Sequence, residues 1–277
     1  MRLFLHSLHI HPVKSLHGLS MQELLLCPWG PDKDRRWMIV DHEGQFVTQR
    51  RYPVMATINV SITTEGLRLT HNGQPDLRVR RPTGEARPVT VWKDTVQALD
   101  AGDDAALWVS GIIGMPCRLV YMPCPESDRR RQWDDRVFTN SFSDGFPVLI
   151  TTLASLNDLN NRLDAPVPMD RFRPNLVVSG AEAWEEDRWA RIRIGGAELS
   201  LVKPCSRCVM TTVDQDTGLI PDRKEPLATL ARFRKQEGGV MFGQNALVER
   251  TGRVSVGEEV EILEFRPATV ERSDSLE

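Results

Sequence analysis

Hydrophobic and polar residues alternate from the first positions of the chain. The stretch "MRLFLHSLHIHPVKS" (1–15) has the two-residue period of a strand with one buried face. "RRWMIV-DHEG-QFVTQR" continues with two alternating runs around a glycine-containing turn at Asp41–Gly44, which predicts a hairpin. "LRLT-HNG-QPDLRVR" repeats the pattern around Asn72-Gly73, and "VTVWKDTVQAL" forms another tight pair. Strands this short and frequent point to an antiparallel barrel or sandwich, not to a doubly wound sheet.

The period changes at Asp103–Ile113, where Leu107, Val109 and Ile112–Ile113 fit a short helix. Residues 123–149 are polar, contain proline and have little periodicity, as expected of a domain junction that carries a functional loop. Leu153, Leu156, Leu159 and Leu163 mark one face of a helix entered from Thr151/Thr152. "ARIRI-GG-AELSLV" then predicts a hairpin with Ile192 and Ile194 inward, a Gly195-Gly196 turn and a strand ending at Val202. Pro226 suits a first helical turn ahead of Leu227, Leu230 and Phe233. "GRVSVGEEVEIL" predicts a last strand pair, and 267–277 a polar tail. The fold class that results is mostly β with some α (α+β), in two β-rich modules.

Composition narrows the function classes. The 277 residues are 40% hydrophobic and 26% charged with a formal charge of −3, so the chain lacks the cationic surplus of a nucleic-acid binder. No apolar run approaches the roughly 20 residues that span a bilayer, and the N-terminus lacks the apolar core of a signal peptide. The five cysteines (27, 117, 124, 205 and 208) are odd in number and show no disulfide-framework spacing, which suits a reducing, cytoplasmic setting.

Two of them lie in "KPCSRCVMTTVDQDTG" (203–218). A structural zinc site needs about four Cys or His ligands. There is no second C-x-x-C here, and all six histidines fall within the first 71 residues. A thioredoxin-like pair should open a helix, whereas the β-branched residues after Cys208 predict a strand. Two buried thiols and a thiolate metal ligand remain. Lys203 and Arg207 favour the thiolate form, but the residues alone name no metal.

Motifs spread along the chain add a resemblance. "HPVKSLHGL" (11–19) and "DRRWMIVD" (34–41) resemble the N-terminal barrel module of MOSC-domain proteins. "SFSDGFPVLI" (141–150), "RFRPNLVVSG" (171–180), "WEEDRW" (184–189), "KPCSRCVMTTVD" (203–214), "KEPLATL" (224–230) and "FGQN" (242–245) resemble the MOSC module itself. By pattern the chain is similar to the bacterial MOSC reductases of N-hydroxylated compounds and to the mitochondrial amidoxime reducing component. The resemblance implies two β-barrel-like modules, 1–122 and 123–266, the second carrying a few packed helices.

It also implies the molybdenum cofactor, a pterin dithiolene bearing a phosphate. In the family the second cysteine of C-S-R-C ligates the metal, which corresponds to Cys208. Ser206, Arg207, Lys14, Ser15, Arg35, Arg173 and Asn175 match cofactor-contacting positions. Gly145 and Phe146 lie on a further cofactor-lining loop with Asp144, the one carboxylate placed to join Cys208 in catalysis. Cationic Lys and Arg suit a phosphate and an anionic dithiolene, and soft sulfur suits the metal.

The implied reaction is reduction of N–O bonds in amidoximes, hydroxylamines or N-hydroxylated nucleobases. The chain carries no ferredoxin-type cysteine cluster, so electrons are expected from a separate donor protein of a ferredoxin- or flavodoxin-type system. The alternative is a carrier that holds the cofactor or transfers sulfur through Cys208. Single residues also have plainer readings. Arg173 suits a structural ion pair with Asp170, "DRRRQWDDR" (128–136) a solvated loop, and Cys205 a neighbouring thiol.

Overall fold

The alternating N-terminus does form a strand, Leu3–Ile10, which pairs with nearby Leu19–Met21 but has its two main partners far away in sequence. In the computed structural model, which describes residues 2–266, it sits between Leu176–Ser179 and Glu259–Phe265. The sheet continues through Trp189–Ile194, Ala197–Arg207 and Gly239–Arg250, and reaches Val148–Thr152 next to Leu176–Ser179. Pairing of Val148 with Ala246 and of Ile150 with Gln244 closes it into a seven-strand barrel. Closure removes the exposed edges that would otherwise template aggregation.

Val148–Thr152 and Leu176–Ser179 run parallel, so a crossover must join them. The helix Leu153–Asn160 lies on that crossover, capped by Thr152, whose hydroxyl accepts from the Ser155 amide at 3.2 Å. Inward-facing Leu5, Leu8, Ile150, Val178, Ile192, Ile194, Leu199 and Ala246 fill the barrel core. Each such side chain contributes about 1.5–3 kcal/mol on burial.

The first module is a half-barrel built on two sheets. Trp37–Asp41, Cys117–Tyr121, Asp94–Asp100 and Ala86–Val91 form one, and Asn59–Ile62, Gly66–Thr70 and Leu77–Arg80 the other. The helix Asp103–Ile113 stands where its periodicity placed it. Asp103 and Asp104 complement its N-terminal dipole, and Gly114 at φ 79° ends it. Its Ala105, Val109 and Ile113 pack on Ile39, Leu67 and Leu69. No described helix is long and apolar enough to cross a membrane.

Several local expectations need correction. After Asp41–Gly44 the second arm shrinks to one bridge, Val40 with Phe46, before the chain turns away. The strand expected to end at Val202 runs on to Arg207, held by pairing with Gly239–Arg250. Cys208 is followed by a 3-10 turn, Val209–Thr212, not by a strand, because the Thr211 and Thr212 hydroxyls bond back to Cys208 O and Val209 O. Gly252–Ser255 and Glu259–Phe265 do not pair with each other. The first joins Glu23–Cys27 and the second closes on Leu3–Ile10 and Trp189–Ile194. Within 123–149, a hairpin of Arg130–Trp133 and Arg136–Thr139 replaces the expected irregular loop.

Candidate active site: a cationic cavity between the modules

The residues singled out from the sequence come from five separate stretches, and tertiary folding brings them to one place. Lys14, Ser15, Arg35, Asp144, Gly145, Phe146, Arg173, Asn175, Ser206, Arg207 and Cys208 all line a single cavity of about 620 Å³. The first module supplies one wall and the loops at one end of the barrel the other. Nine Lys and Arg side chains face two aspartates across its lining, inside a chain whose overall charge is −3. A concentrated positive field in a folded cleft selects an anionic ligand.

The backbone is strained here. Of the seven non-glycine residues with positive φ among those described, Ser15 (65°), Arg35 (47°), Trp92 (59°) and Arg173 (51°) line this cavity. Each costs about 1–3 kcal/mol, and such outliers gather where function requires them. Two of them are tied together: Arg35 Nη2 donates to the Arg173 carbonyl at 3.2 Å. Asn175 lines the same wall, yet its amide is engaged by the chain itself. Its Oδ1 accepts from Leu149 N at 3.1 Å and its Nδ2 donates to His9 O at 3.2 Å, so it braces Arg35 and the strands.

Arg173 is the group that most needs a ligand. Its side chain is 6% exposed, Nη1 donates to Gln215 Oε1 at 3.1 Å, and Nη2 has no partner. Burial first, and the Arg35 charge second, disfavour its cationic form, but a guanidinium keeps its proton in proteins. Among the described residues the expected ion pair with Asp170 is not formed. Only the Arg173 amide reaches the Asp170 carbonyl, and it is Arg171 that pairs with a carboxylate, Asp214, at 2.9 Å. Arg207 is similar: Nη2 holds Phe172 O at 2.6 Å and Nη1 holds Cys205 Sγ at 2.9 Å, while the buried Nε is unpartnered.

Asp144 is the charge that balances part of this field. It ion-pairs with Lys14 and Arg50 and accepts from Trp92 Nε1 at 3.0 Å. Its side chain is 46% exposed, and that surface faces the cavity. Burial pushes its carboxyl up, but Lys14 and Arg50 outweigh this and hold it far below the usual range. A carboxylate held so firmly ionised serves as a counter-ion, and the proton-transfer role expected for Asp144 does not suit these surroundings. Lys14, 5% exposed, also donates to Phe142 O at 2.8 Å; burial lowers its ammonium to about 8 against the pull of Asp144.

The two cysteines separate. Cys205 lies in the strand, and Cys208 follows it in extended backbone at φ −129°, ψ 179°. Three residues at about 3.3 Å each put their Cα atoms roughly 10 Å apart, too far for a disulfide without backbone movement. The Cys208 thiol opens on the cavity and accepts from Arg50 Nε at 3.3 Å. Ser206 donates to Gly238 O at 3.0 Å, and Gly239 (φ 131°) permits this approach, since a Cβ there would fall 2.4 Å from Ser206 Oγ. No three His, Cys, Asp or Glu side chains gather as metal ligands among the described residues, which removes the zinc reading.

Sequence reasoning missed four participants. Arg50 and Trp92 gave no motif and reach the site only through the fold. Arg129 and Arg131 sat in the stretch read as a solvated loop. Arg129 is 2% exposed and holds the Asp144 loop through Ser141 O (2.7 Å) and Ser143 O (2.5 Å), while Arg131 donates to Asp144 O at 2.9 Å. Three arginines in a row behind a proline were the available signal. Phe146 lines the cavity, backed by Phe138 stacked on it at 5.3 Å and Trp133 edge-on at 5.5 Å.

Comparison with known proteins accounts for both modules. Residues 3–116 match the MOSC N-terminal beta barrel domain and residues 138–261 the MOSC domain. The chain is 36% identical over 276 residues to mitochondrial amidoxime-reducing component 1 of Mus musculus, covering 92% of this chain and 81% of that protein. It is 35% identical over 269 residues to the protein of the same name from Danio rerio, covering 91% and 82%. It is also 32% identical over 263 residues to a molybdenum cofactor sulfurase of Oryza sativa subsp. japonica, covering 87% of this chain and 32% of that longer protein.

Proposed function

This chain belongs to the family of the amidoxime-reducing components, and on that premise we propose that it is an oxidoreductase that uses a molybdenum cofactor to reduce N-hydroxylated compounds. The observation that carries the reading is the meeting of a free thiol, Cys208, with buried, incompletely bonded guanidinium groups in a single cavity, where the second lining thiol, Cys205, is held by Arg207. A metal bound by protein side chains alone would need several donors. A metal that arrives chelated by its own dithiolene needs one, together with cations for its phosphate.

The residues present fit that group. Cys208 Sγ is the soft ligand. Arg173 Nη2 and Arg207 Nε are buried donors without partners, and Arg offers phosphate a two-pronged contact. Lys14, Ser15, Arg35 and Ser206 complete the cradle, and Asn175 acts by bracing Arg35. When bound, the cofactor supplies two-electron oxygen-abstracting chemistry at a metal.

The chain's own residues bind and orient. A hydroxylamine takes up two electrons and two protons to give an amine and water, and the electrons come from a separate donor protein. Phe146, backed by Trp133 and Phe138, gives the organic part of the substrate an apolar surface. Gly145 borders open space at the cavity, since a Cβ there would meet nothing within 4 Å. Asp144 stays ionised and fixes Lys14 and Arg50, so the protons come from solvent entering the cavity.

Elemental analysis tests the reading, combined with benzamidoxime turnover driven by a chemical reductant. Wild type is expected to carry about one molybdenum per chain and to form benzamidine, and Cys208→Ser to lose both. Equal loading of the two proteins would refute Cys208 as the ligand. A fully loaded wild type without turnover would refute the reductase.

A further inference from the structure

Arg50 belongs to none of the motifs, yet it touches the sulfur on which the proposed chemistry depends. Its Nε lies 3.3 Å from Cys208 Sγ, within range of a charge-assisted hydrogen bond. The guanidinium is fixed from two further directions. Nη2 pairs with Asp144 Oδ2 at 3.0 Å, and the group lies 4.7 Å over the Trp92 ring. Trp92, itself at φ 59°, closes the triangle by donating Nε1 to Asp144 Oδ1 at 3.0 Å. Lys14 holds the same carboxylate from the other side. Three side chains, Asp144, Trp92 and, through Asp144, Lys14, thus set the direction of one N–H.

We infer that Arg50 is a positioning residue that sets the electron density of the Cys208 sulfur through its Nε–H, with Asp144 and Trp92 as the brace that aims it. The inference rests on the reading of Cys208 as the molybdenum ligand. A guanidinium N–H on a metal-bound thiolate draws electron density from sulfur. It therefore favours the electron-rich, reduced state of the metal and raises its potential, as hydrogen bonds to ligating sulfur do elsewhere. The geometry gives the strained Trp92 a role, and gives Asp144, which also holds Lys14, a second one. It also explains why Asp144 is kept anionic: a neutral side chain there would release Arg50.

The test measures metal content and redox potential in wild type, Arg50→Met and Arg50→Lys. Arg50→Met keeps the length of the side chain without its donors, and Arg50→Lys keeps the charge but cannot reach Cys208 and Asp144 with one fork. Both variants are expected to hold near wild-type molybdenum, since Cys208 and the phosphate cradle are untouched. In an EPR-monitored redox titration the reduced-to-oxidised ratio at a fixed potential should fall about tenfold in Arg50→Met, about 30 mV for a two-electron couple, and less in Arg50→Lys. Loaded variants with an unchanged potential would overturn the inference, and so would loss of metal from both, which would make Arg50 a cofactor-holding residue. A wild type without molybdenum would instead overturn the functional reading on which the inference rests.

Discussion

Glu186→Gln tests whether a buried carboxyl beneath the barrel helix sets the pH dependence of stability. Glu186 is 0% exposed, and its Oε2 accepts from Ser155 Oγ at 2.8 Å and Thr152 Oγ1 at 3.1 Å, while Oε1 has no partner. Burial raises its pKa from 4.5 to about 7, against the opposing pull of the Ser155 hydroxyl. Moving a carboxyl over that range corresponds to roughly 3 kcal/mol between its two protonation states.

The folded-state value is raised, so the stabilising contribution is complete below about pH 4.5, where both states are protonated. It is lost as pH rises through about 7, because the unfolded chain ionises freely and the folded one does not. Between pH 5 and pH 8 wild type should therefore lose about 2.5 kcal/mol that Glu186→Gln does not lose. Urea unfolding of both proteins at the two pH values gives the quantity as a difference of differences, which cancels every other titrating group and any fixed cost of the amide. The same change with pH in both proteins would refute the reasoning.

Other expectations follow from the cavity. Cys205→Ser should keep full molybdenum by elemental analysis, because its thiol bonds to Arg207 and lies too far from Cys208 to act with it. Arg173→Met removes the buried donor that lacks a partner and should weaken cofactor retention about 10- to 100-fold, the equivalent of one charge-assisted hydrogen bond, read as cofactor loss on dilution. Lys14 is protonated below about 8 and neutral above it, so the cofactor-free protein should bind inorganic phosphate more weakly by calorimetry at pH 9 than at pH 7. Arg129→Ala frees the Asp144 loop, leaving Ser141 O and Ser143 O without their donor, while Asp94, partly exposed, keeps Arg131 at 3.3 Å. It should cost about 1–3 kcal/mol in denaturant unfolding, the penalty of unsatisfied buried acceptors.

The local signals legible in the chain were those with a local cause. The helix Asp103–Ile113, the Asn72-Gly73 hairpin and the Thr152-capped helix follow from periodicity, caps and turn residues, which act within a few positions. Pairing was another matter. Leu3–Ile10 reads as a strand, but nothing within it specifies partners some 170 and 250 residues away. The run after Cys208 read as strand because β-branched residues favour strands on average. There, two threonine hydroxyls bonding back to the backbone decided for a turn.

The site divides in the same way. The family resemblance was what gathered Lys14, Arg35, Arg173 and Cys208 as expected residues of one site, and the fold brings all four to one cavity. Their roles needed the fold. Asp144 became a fixed counter-ion only because Lys14 and Arg50 converge on it from 130 and 94 positions away in the chain. Asn175 turned inward to brace Arg35, and Arg50 acquired its position on Cys208 across 158 positions. A sequence records which groups are present and the conformations that near neighbours impose. Distance, burial and charge balance between remote groups come into being only when the barrel closes against the first module.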